Sequence, residues 1–307
     1  MSQVPEHFRS EPRRVSVAAV QMACGWDLEA NMARAERLVR EAASSGAQVI
    51  LLPELFETPY FCIEQDARHL SLARPAAESR AVRHFAAVAR ELGVVLPVSF
   101  FERSGPAYFN SIAILDADGT NLGIYRKSHI PNGPGYQEKN YFSPGDTGFR
   151  VWQTRFARLG VGICWDQWFS ETARVMALMG AELLLFPTAI GTEPPPALPV
   201  NSREHWQRAQ QGHAAANLTP LVASNRYGLE RSLQDPQGLY IRFYGSSFIA
   251  DPMGAKVEEA SEEGEAVLTH TFDLAEIARL RDNWFVFRDR RPDLYGALTS
   301  LDGRTSR

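Results

Sequence analysis

Apolar residues along this chain follow two spacings that alternate. Residues 15–22 and 49–53 are short apolar runs that each predict a strand, and the second has no polar position, as in a strand covered on both faces. Over residues 28–43 apolar side chains recur three or four positions apart, which predicts a helix with an inward face of Met32, Ala35, Leu38, Val39 and Ala42. Strand, helix and strand in succession are typical of an α/β domain.

The same two spacings predict the remaining elements. Helices are predicted at residues 76–92, 171–179, 203–217 and 274–281. Single strands are predicted at residues 94–101, 183–186, 221–224, 247–250 and 266–272. Two antiparallel pairs are predicted, 110–116 with 120–125 and 151–156 with 159–164. Strands joined partly by hairpins and partly by helices predict stacked sheets with helices outside, a four-layer α/β sandwich.

Composition favours one large domain. The chain has 307 residues, of which 45% are hydrophobic and 22% charged, enough for a single α/β core. We expect an N-terminal extension at residues 1–12, one domain at 13–295 and a tail at 296–307. The net charge is -4 and the basic residues are scattered, so neither nucleic acid nor an anionic membrane is an expected partner. No apolar run reaches the about 18 residues of a membrane span, and the first residues do not resemble a signal peptide.

The cysteines and histidines argue against a disulfide framework and against a metal centre. The chain has three cysteines, Cys24, Cys62 and Cys164, which is an odd number, and none forms a CxxC motif. Free thiols of this kind fit a reducing cytoplasm. The seven histidines are dispersed, and neither HxH nor HExxH occurs. We therefore expect no bound metal.

Three chemically active side chains follow predicted strands. Cys164 stands between the apolar residues 159–163 and the polar-aromatic turn 165–168, Glu54 follows the buried run 49–53, and Lys127 follows the strand at 120–125. Each also has an ordinary interpretation: the glutamate as a helix cap or ion pair, the lysine as a surface charge, the cysteine as a small core residue. Together they fit acyl transfer, because a thiol can attack a carbonyl while a carboxylate accepts its proton.

The groups around Cys164 predict how such a reaction would be supported. The ammonium of Lys127 and the backbone N–H of Trp165 are the expected donors to the oxygen of a tetrahedral intermediate. A nearby ammonium and the N–H groups of a following helix are also expected to favour a thiolate at Cys164. Cys24 and Cys62 lack comparable flanks and are expected to be structural thiols.

The motifs around these three residues resemble the signatures of the nitrilase, or carbon-nitrogen hydrolase, superfamily. They are residues 52–55 around Glu54, 125–129 around Lys127 and 162–166 around Cys164, and the resemblance extends over residues 13–295. It implies an αββα sandwich, a Glu-Lys-Cys triad and no cofactor. It further implies a homo-oligomer built from dimers that pair two sandwiches.

A narrower resemblance concerns the substrate. Residues 134–139, 164–169 and 188–194 are similar to the branch of that superfamily that hydrolyses N-carbamoylputrescine, which implies that Glu138 is a second glutamate beside the triad. This substrate has a neutral ureido end and a distant ammonium, so we expect an aromatic slot with a carboxylate at its end. The candidate substrate-binding residues are Tyr60, Tyr136, Trp165, Trp168 and, for the ammonium, Glu193. Alternatively, Glu193 is an exposed loop residue.

Other functions remain open from the sequence. Within the same chemistry, a β-ureidopropionase would place an arginine at the end of the slot, and a nitrilase would act on a nitrile. A chain of this fold that has lost activity could serve as a scaffold or a small-molecule sensor. A metalloamidohydrolase would be inactivated by chelators, whereas a thiol enzyme would not. The sequence does not decide which nitrogen of the ureido group leaves first.

Overall fold

The computed structural model describes residues 11–192 and 201–304. Its strands are β1 (Arg14–Gln21), β2 (Val49–Leu51), β3 (Leu96–Ser104), β4 (Ala107–Leu115), β5 (Asn121–Arg126), β6 (Val151–Gln153), β7 (Arg158–Val161), β8 (Leu183–Pro187), β9 (Leu221–Ser224), β10 (Tyr227–Arg231), β11 (Tyr240–Tyr244), β12 (Phe248–Ala250), β13 (Lys256–Glu259) and β14 (Ala266–Asp273). Its α-helices are α1 (Leu28–Ser44), α2 (Arg80–Leu92), α3 (Ser170–Leu178), α4 (Arg203–Asn217) and α5 (Leu274–Trp284).

The strands form two large sheets. One has the order β14-β1-β2, and it continues into β3-β4-β5 because the backbone N–H of Ile50 donates to the carbonyl of Val95 at 3.0 Å. The other has the order β13-β12-β9-β8-β7-β6. Its strands β7, β8 and β9 are parallel, so their carboxyl ends meet at one edge of the sheet. The chain leaves that edge at Cys164, Thr188 and Asn225.

The two sheets pack face to face and carry helices on their outer faces. Apolar residues of both sheets fill the space between them, including Val17, Leu51, Val161, Leu185 and Val222. Helices α1 and α2 cover the outer face of the first sheet, and α3 and α4 cover that of the second. This arrangement confirms the predicted αββα sandwich, and it follows from burying an apolar stripe of each helix on an apolar sheet face.

Most predicted elements are present, with shifts at their ends. Helix α4 and strand β9 have the predicted bounds, and both predicted antiparallel pairs form, as β4 with β5 and β6 with β7. The predicted helix at 76–92 begins late, because Ser79 caps α2 by accepting from the N–H of Val82. The helix ends at Gly93 in the left-handed conformation, with φ 66°. Strand β7 ends at Val161, so Cys164 lies beyond it and not within it.

Two features were not predicted from the sequence. Strands β10 and β11 form a separate hairpin, and β13 extends the second sheet at its edge. Within residues 11–192 and 201–304, none of the helices has the length and apolar character needed to cross a membrane.

Candidate active site

A buried ammonium between two carboxylates forms the centre of the site. The Nζ of Lys127 lies 2.9 Å from Oε1 of Glu54 and 2.8 and 2.7 Å from the two carboxylate oxygens of Glu138. All three side chains are fully buried. Burying one charge alone is costly. Here the Lys127 ammonium is paired with both carboxylates, which reduces that cost. The structure thus brings Glu54 together with Lys127, which is 73 positions later in the chain, and with Glu138.

Cys164 lies beside this group and is nearly buried. Its Sγ is 3.8 Å from the carbonyl oxygen of Ala189, which follows β8, and the thiol lies within electrostatic range of Glu54, Lys127 and Glu138. Cys164 begins a 3₁₀ turn, Cys164–Trp168, and has φ 41°. A positive φ at a residue with a side chain is strained, and such residues cluster at functional sites.

Burial controls the protonation of this group. It raises the pKa of Cys164 well above the ordinary value, the carboxylate of Glu54 adds to that effect, and the Lys127 ammonium opposes it. The Lys127 ammonium favours the thiolate, as expected, but burial outweighs it, so the sulfur is protonated at rest. Burial lowers the pKa of Lys127, but Glu138 and Glu54 prevail and raise it well above normal, so the ammonium stays charged. Burial also raises the pKa of Glu138, against the effect of Lys127.

The two carboxylate oxygens of Glu54 differ in their hydrogen bonding. Oε1 accepts from Lys127 and from the side-chain amide of Asn110, the latter at 2.6 Å. Oε2 is buried without a hydrogen-bond partner within the part of the chain that the structure describes. A buried carboxylate oxygen without a donor is suited to accept a proton from a neighbouring thiol or water.

Arg226 holds the segment that carries Glu54, and sequence reasoning missed it. Its guanidinium is fully buried and donates to the backbone carbonyls of Glu54, Leu55 and Thr58 at 2.7, 3.2 and 3.3 Å. It also pairs with Glu230 at 2.8 Å. One signal was available: Arg226 follows the apolar strand β9, at the same sheet edge as Cys164.

The structure describes four of the five predicted substrate-binding residues, and Tyr60 contacts this centre directly. Tyr60 is buried, donates to Oε1 of Glu138 at 2.6 Å, and has its ring 5.8 Å from that of Tyr136. The hydroxyl of Tyr136 donates to the carbonyl of Gly191 at 3.0 Å. Trp165 and Trp168 are on the turn that begins at Cys164, with ring centroids 6.2 Å apart. Glu193 is outside the described residues.

One group of side chains in the described part of the chain has the spacing of metal ligands. Glu64, Asp66 and His69 place their ligand atoms within 4.8 Å of one another. However, Nε2 of His69 is hydrogen-bonded to Glu64 at 2.8 Å, Glu64 also accepts from Ser232 and Gln234, and Asp66 pairs with Arg68. These atoms are engaged in bracing the loop, which is a structural role.

Known proteins match the chain along nearly all its length. The carbon-nitrogen hydrolase family model matches residues 16–282, a span that contains Glu54, Lys127, Glu138 and Cys164. An N-carbamoylputrescine amidase of Arabidopsis thaliana is 57% identical over 291 residues, covering 95% of this chain and 97% of that protein. A citrullinase of Francisella tularensis is 52% identical, covering 92% and 96%. The crystal structure of a carbon-nitrogen hydrolase from Helicobacter pylori superposes with a TM-score of 0.88 at 36% identity, covering 94% and 99%.

Proposed function

Because this chain belongs to the carbon-nitrogen hydrolase family, we propose that it hydrolyses the ureido group of N-carbamoylputrescine to putrescine, carbon dioxide and ammonia. The observation that carries this proposal is the buried Lys127 ammonium, held by Glu54 and Glu138 beside a buried thiol. A thiol, a base and a fixed cation are the groups that acyl transfer from an unactivated carbonyl requires.

In the first half of the reaction, Cys164 attacks the ureido carbon. The thiol is neutral at rest because burial raises its pKa, so its proton must leave as the carbon–sulfur bond forms. Oε2 of Glu54 accepts that proton. The Lys127 ammonium and the backbone N–H of Trp165 stabilise the negative oxygen of the tetrahedral intermediate. Glu54 then returns the proton to the departing nitrogen, and a carbamoyl-type thioester remains on the sulfur.

In the second half, one water molecule releases the product. Glu54 takes a proton from the water as the water oxygen attacks the thioester. Glu54 then gives that proton to the sulfur, which leaves as the thiol. The product is a carbamic acid, which decomposes to carbon dioxide and an amine. Either order of departure consumes one water and yields one putrescine, one carbon dioxide and one ammonia. The reaction needs no redox step and no cofactor.

Glu138 and Tyr60 hold the cation rather than react. Glu138 contacts Lys127 with both carboxylate oxygens, and the Tyr60 hydroxyl fixes one of them. Tyr136, Trp165 and Trp168 provide the aromatic walls against which the four methylenes of the substrate pack. Glu193 remains our proposed partner for the far ammonium, because a cation withdrawn from water needs a countercharge.

A substrate panel tests the proposal. Purified enzyme is offered N-carbamoylputrescine, N-carbamoyl-β-alanine and a simple nitrile, and both putrescine and ammonia are quantified. We expect equimolar putrescine and ammonia from the first substrate, no loss of rate with chelators, and no turnover by Cys164→Ala. Turnover that survives removal of the sulfur would disprove the thiol mechanism.

Citrulline is the second candidate substrate, since the relative named citrullinase is 52% identical. Citrulline has the same ureido group on a chain that ends in both an ammonium and a carboxylate. A slot that ends in a carboxylate should reject it by charge repulsion. A higher kcat/KM for citrulline than for N-carbamoylputrescine would assign the chain to the second function.

The assembly and boundaries of the protein are part of the same proposal. We infer one catalytic domain at residues 13–295, between an extension at 1–12 and a tail at 296–307, and a homo-oligomer built from dimers. Exposed apolar side chains support the oligomer, because patches of this kind mark interfaces: Val175, Leu178 and Met179 in or next to α3, Trp284 at the end of α5, and Leu294 and Leu298 after it. The unpaired thiols of Cys24, Cys62 and Cys164 fit a cytoplasmic location.

A further inference from the structure

Asp166 is a buried carboxylate that the proposed chemistry does not use. Its side chain is fully buried, and it accepts four hydrogen bonds, two at each oxygen. Oδ2 accepts from the backbone N–H of Ile163 at 2.9 Å and from the hydroxyl of Tyr125 at 2.8 Å. Oδ1 accepts from the backbone N–H of His129 at 3.0 Å and from its Nδ1 at 2.7 Å. No lone pair is left to bind substrate.

These four bonds join two segments that come from different sheets. Ile163 directly precedes Cys164 and follows strand β7 of the second sheet. Tyr125 and His129 lie two residues before and two residues after Lys127, at the end of strand β5 of the first sheet. The carboxylate therefore fixes the backbone that carries the sulfur against the backbone that carries the ammonium.

Asp166 also closes a ring around the strained residue. The backbone N–H of Asp166 donates to the carbonyl of Ile163 at 3.0 Å, while Ile163 donates back to the Asp166 side chain. Cys164, with φ 41°, lies inside this ring. A side chain with positive φ costs on the order of 1–3 kcal/mol and persists only where its surroundings enforce the conformation. Here the two reciprocal bonds of Asp166 enforce it.

We propose that Asp166 is a positioning residue that sets the distance between the Cys164 sulfur and the Lys127 ammonium during the reaction. The proposal rests on the proposed function, because it assigns these two groups to one reaction. A sulfur displaced by about 1 Å loses about 100-fold in rate, since attack needs close and aligned atoms. Substrate binding depends on other residues, so the loss of rate should appear as a lower kcat, with KM little changed.

Asp166→Asn is the sharpest test. Asparagine has the same shape, but its Nδ2 would face either the Ile163 N–H or the His129 N–H, and two donors cannot bond to each other. We expect kcat for N-carbamoylputrescine to fall about 100-fold and KM to change less than about threefold. We also expect slower alkylation of Cys164 by iodoacetamide, followed by mass spectrometry. A folded variant with wild-type kcat and wild-type alkylation would overturn the proposal.

Two further variants make the test decisive. Asp251→Asn is the matched control. Oδ1 of Asp251 accepts from the N–H groups of Met253 and Ala255, in a turn at the opposite edge of the sheet. The kcat of this variant should stay unchanged.

If Asp166→Asn does not fold, Tyr125→Phe tests the same role, since it removes one of the four hydrogen bonds to Asp166 and leaves the backbone bonds. We expect about a tenfold lower kcat from the loss of one such bond; an unchanged kcat and alkylation rate would refute the role.

The alkylation measurement separates this proposal from the proposed function. It reports the environment of the sulfur and does not require the substrate to be correct. A wild-type enzyme that does not turn over N-carbamoylputrescine would end the proposed function. Slower alkylation of Asp166→Asn than of wild type would still support the positioning role in that case.

Discussion

The neutral thiol of Cys164 determines what its neighbours must do. Burial favours the protonated sulfur, and the nearby Glu54 and Glu138 carboxylates add to this preference. Lys127 alone does not reverse it, because its charge is shared between Glu54 and Glu138. A neutral thiol attacks a ureido carbon only when a base removes its proton at the same time. Oε2 of Glu54, which has no hydrogen-bond partner among the residues that the structure describes, is the oxygen suited to that task.

Glu54→Gln should therefore abolish most turnover while the protein stays folded. Glutamine preserves the shape and can still accept from Asn110 and Lys127, but it cannot take a proton. We expect kcat to fall at least about 100-fold, the typical contribution of a general base. Steady-state assays of putrescine release measure the change, and thermal unfolding checks that the fold is intact.

Glu57→Gln is the control for that substitution. Glu57 lies three residues away, is partly buried, and has Arg80 and Arg74 rather than Lys127 as its cationic electrostatic partners. Its kcat should match the wild type. Equal losses in both variants would mean that the Glu54 effect is structural and would contradict its role as the base.

Sequence patterns located the residues that we propose to react, and the family resemblance located Glu138 beside them, but other residues that hold the site were missed. Glu54, Lys127 and Cys164 each follow a predicted strand, so patterns in the sequence reveal them. The structure pairs Lys127 with Glu54 and places the Cys164 thiol within electrostatic range of both. Asn110, Arg226 and Asp166 depend on which segments become neighbours after folding. The position of Arg226 after strand β9 is a local signal, but no local pattern reveals which carbonyls it binds, or that Asp166 bonds to residues on either side of Lys127.

Among the elements, strand β7 and its turn place the sulfur, and glycines make the close packing there feasible. A Cβ on Gly162 would lie 2.7 Å from Cε1 of Phe186 and 3.2 Å from Cγ2 of Thr172. Phe186 is fully buried in β8, the neighbouring strand, so it has little room to move. The turn at Cys164 therefore approaches β8 and α3 as closely as it does because residue 162 has no side chain.

Gly162→Ala should destabilise the protein and impair the reaction together. Overpacking of this kind costs about 1–3 kcal/mol, and the displacement would reach Cys164 two residues later. We expect a lower Tm and a lower kcat, measured by thermal unfolding and by the putrescine assay. Gly212→Ala is the matched control: it is exposed in the middle of α4 with no atom within 4 Å of the added Cβ. Alanine is favoured there by about 0.5–1 kcal/mol, so its Tm should rise.

The missed elements show where element prediction fails. Strands β10 and β11 mix charged and aromatic residues, and their hairpin stands apart from the two main sheets. Strand β13 is short, lies at a sheet edge and contains Glu258 and Glu259. Periodicity detects strands that bury one or both faces, and β10 and β13 bury little. Strand β11 buries Ile241, Phe243 and Tyr244, but it has only five residues and carries an arginine between them. By contrast, α4 and β9 lie against the core and were predicted to the residue.

In the whole molecule, the segment after α5 folds back and leaves apolar side chains exposed. The guanidinium groups of Arg281 and Arg174 lie over the ring of Phe287, at 4.7 and 5.1 Å, which anchors this segment on α3 and α5. Leu294 and Leu298 then point outward and are about two-thirds exposed, at 65% and 66%. Anchored side chains of this kind form a preordered apolar surface, which a second copy of the chain can cover with little loss of entropy.

If the proposed oligomer uses this surface, removal of the segment from Arg288 onward should dissociate it. We expect sedimentation velocity to show a smaller species for the truncated protein than for the full chain at equal concentration. Leu298→Glu should shift the same equilibrium without deleting the segment, because a carboxylate in an apolar contact must be desolvated. Leu233→Glu is the control, since Leu233 is also half exposed but follows β10, away from α3. Unchanged sedimentation of both the truncated protein and Leu298→Glu would place the interface elsewhere on the sandwich.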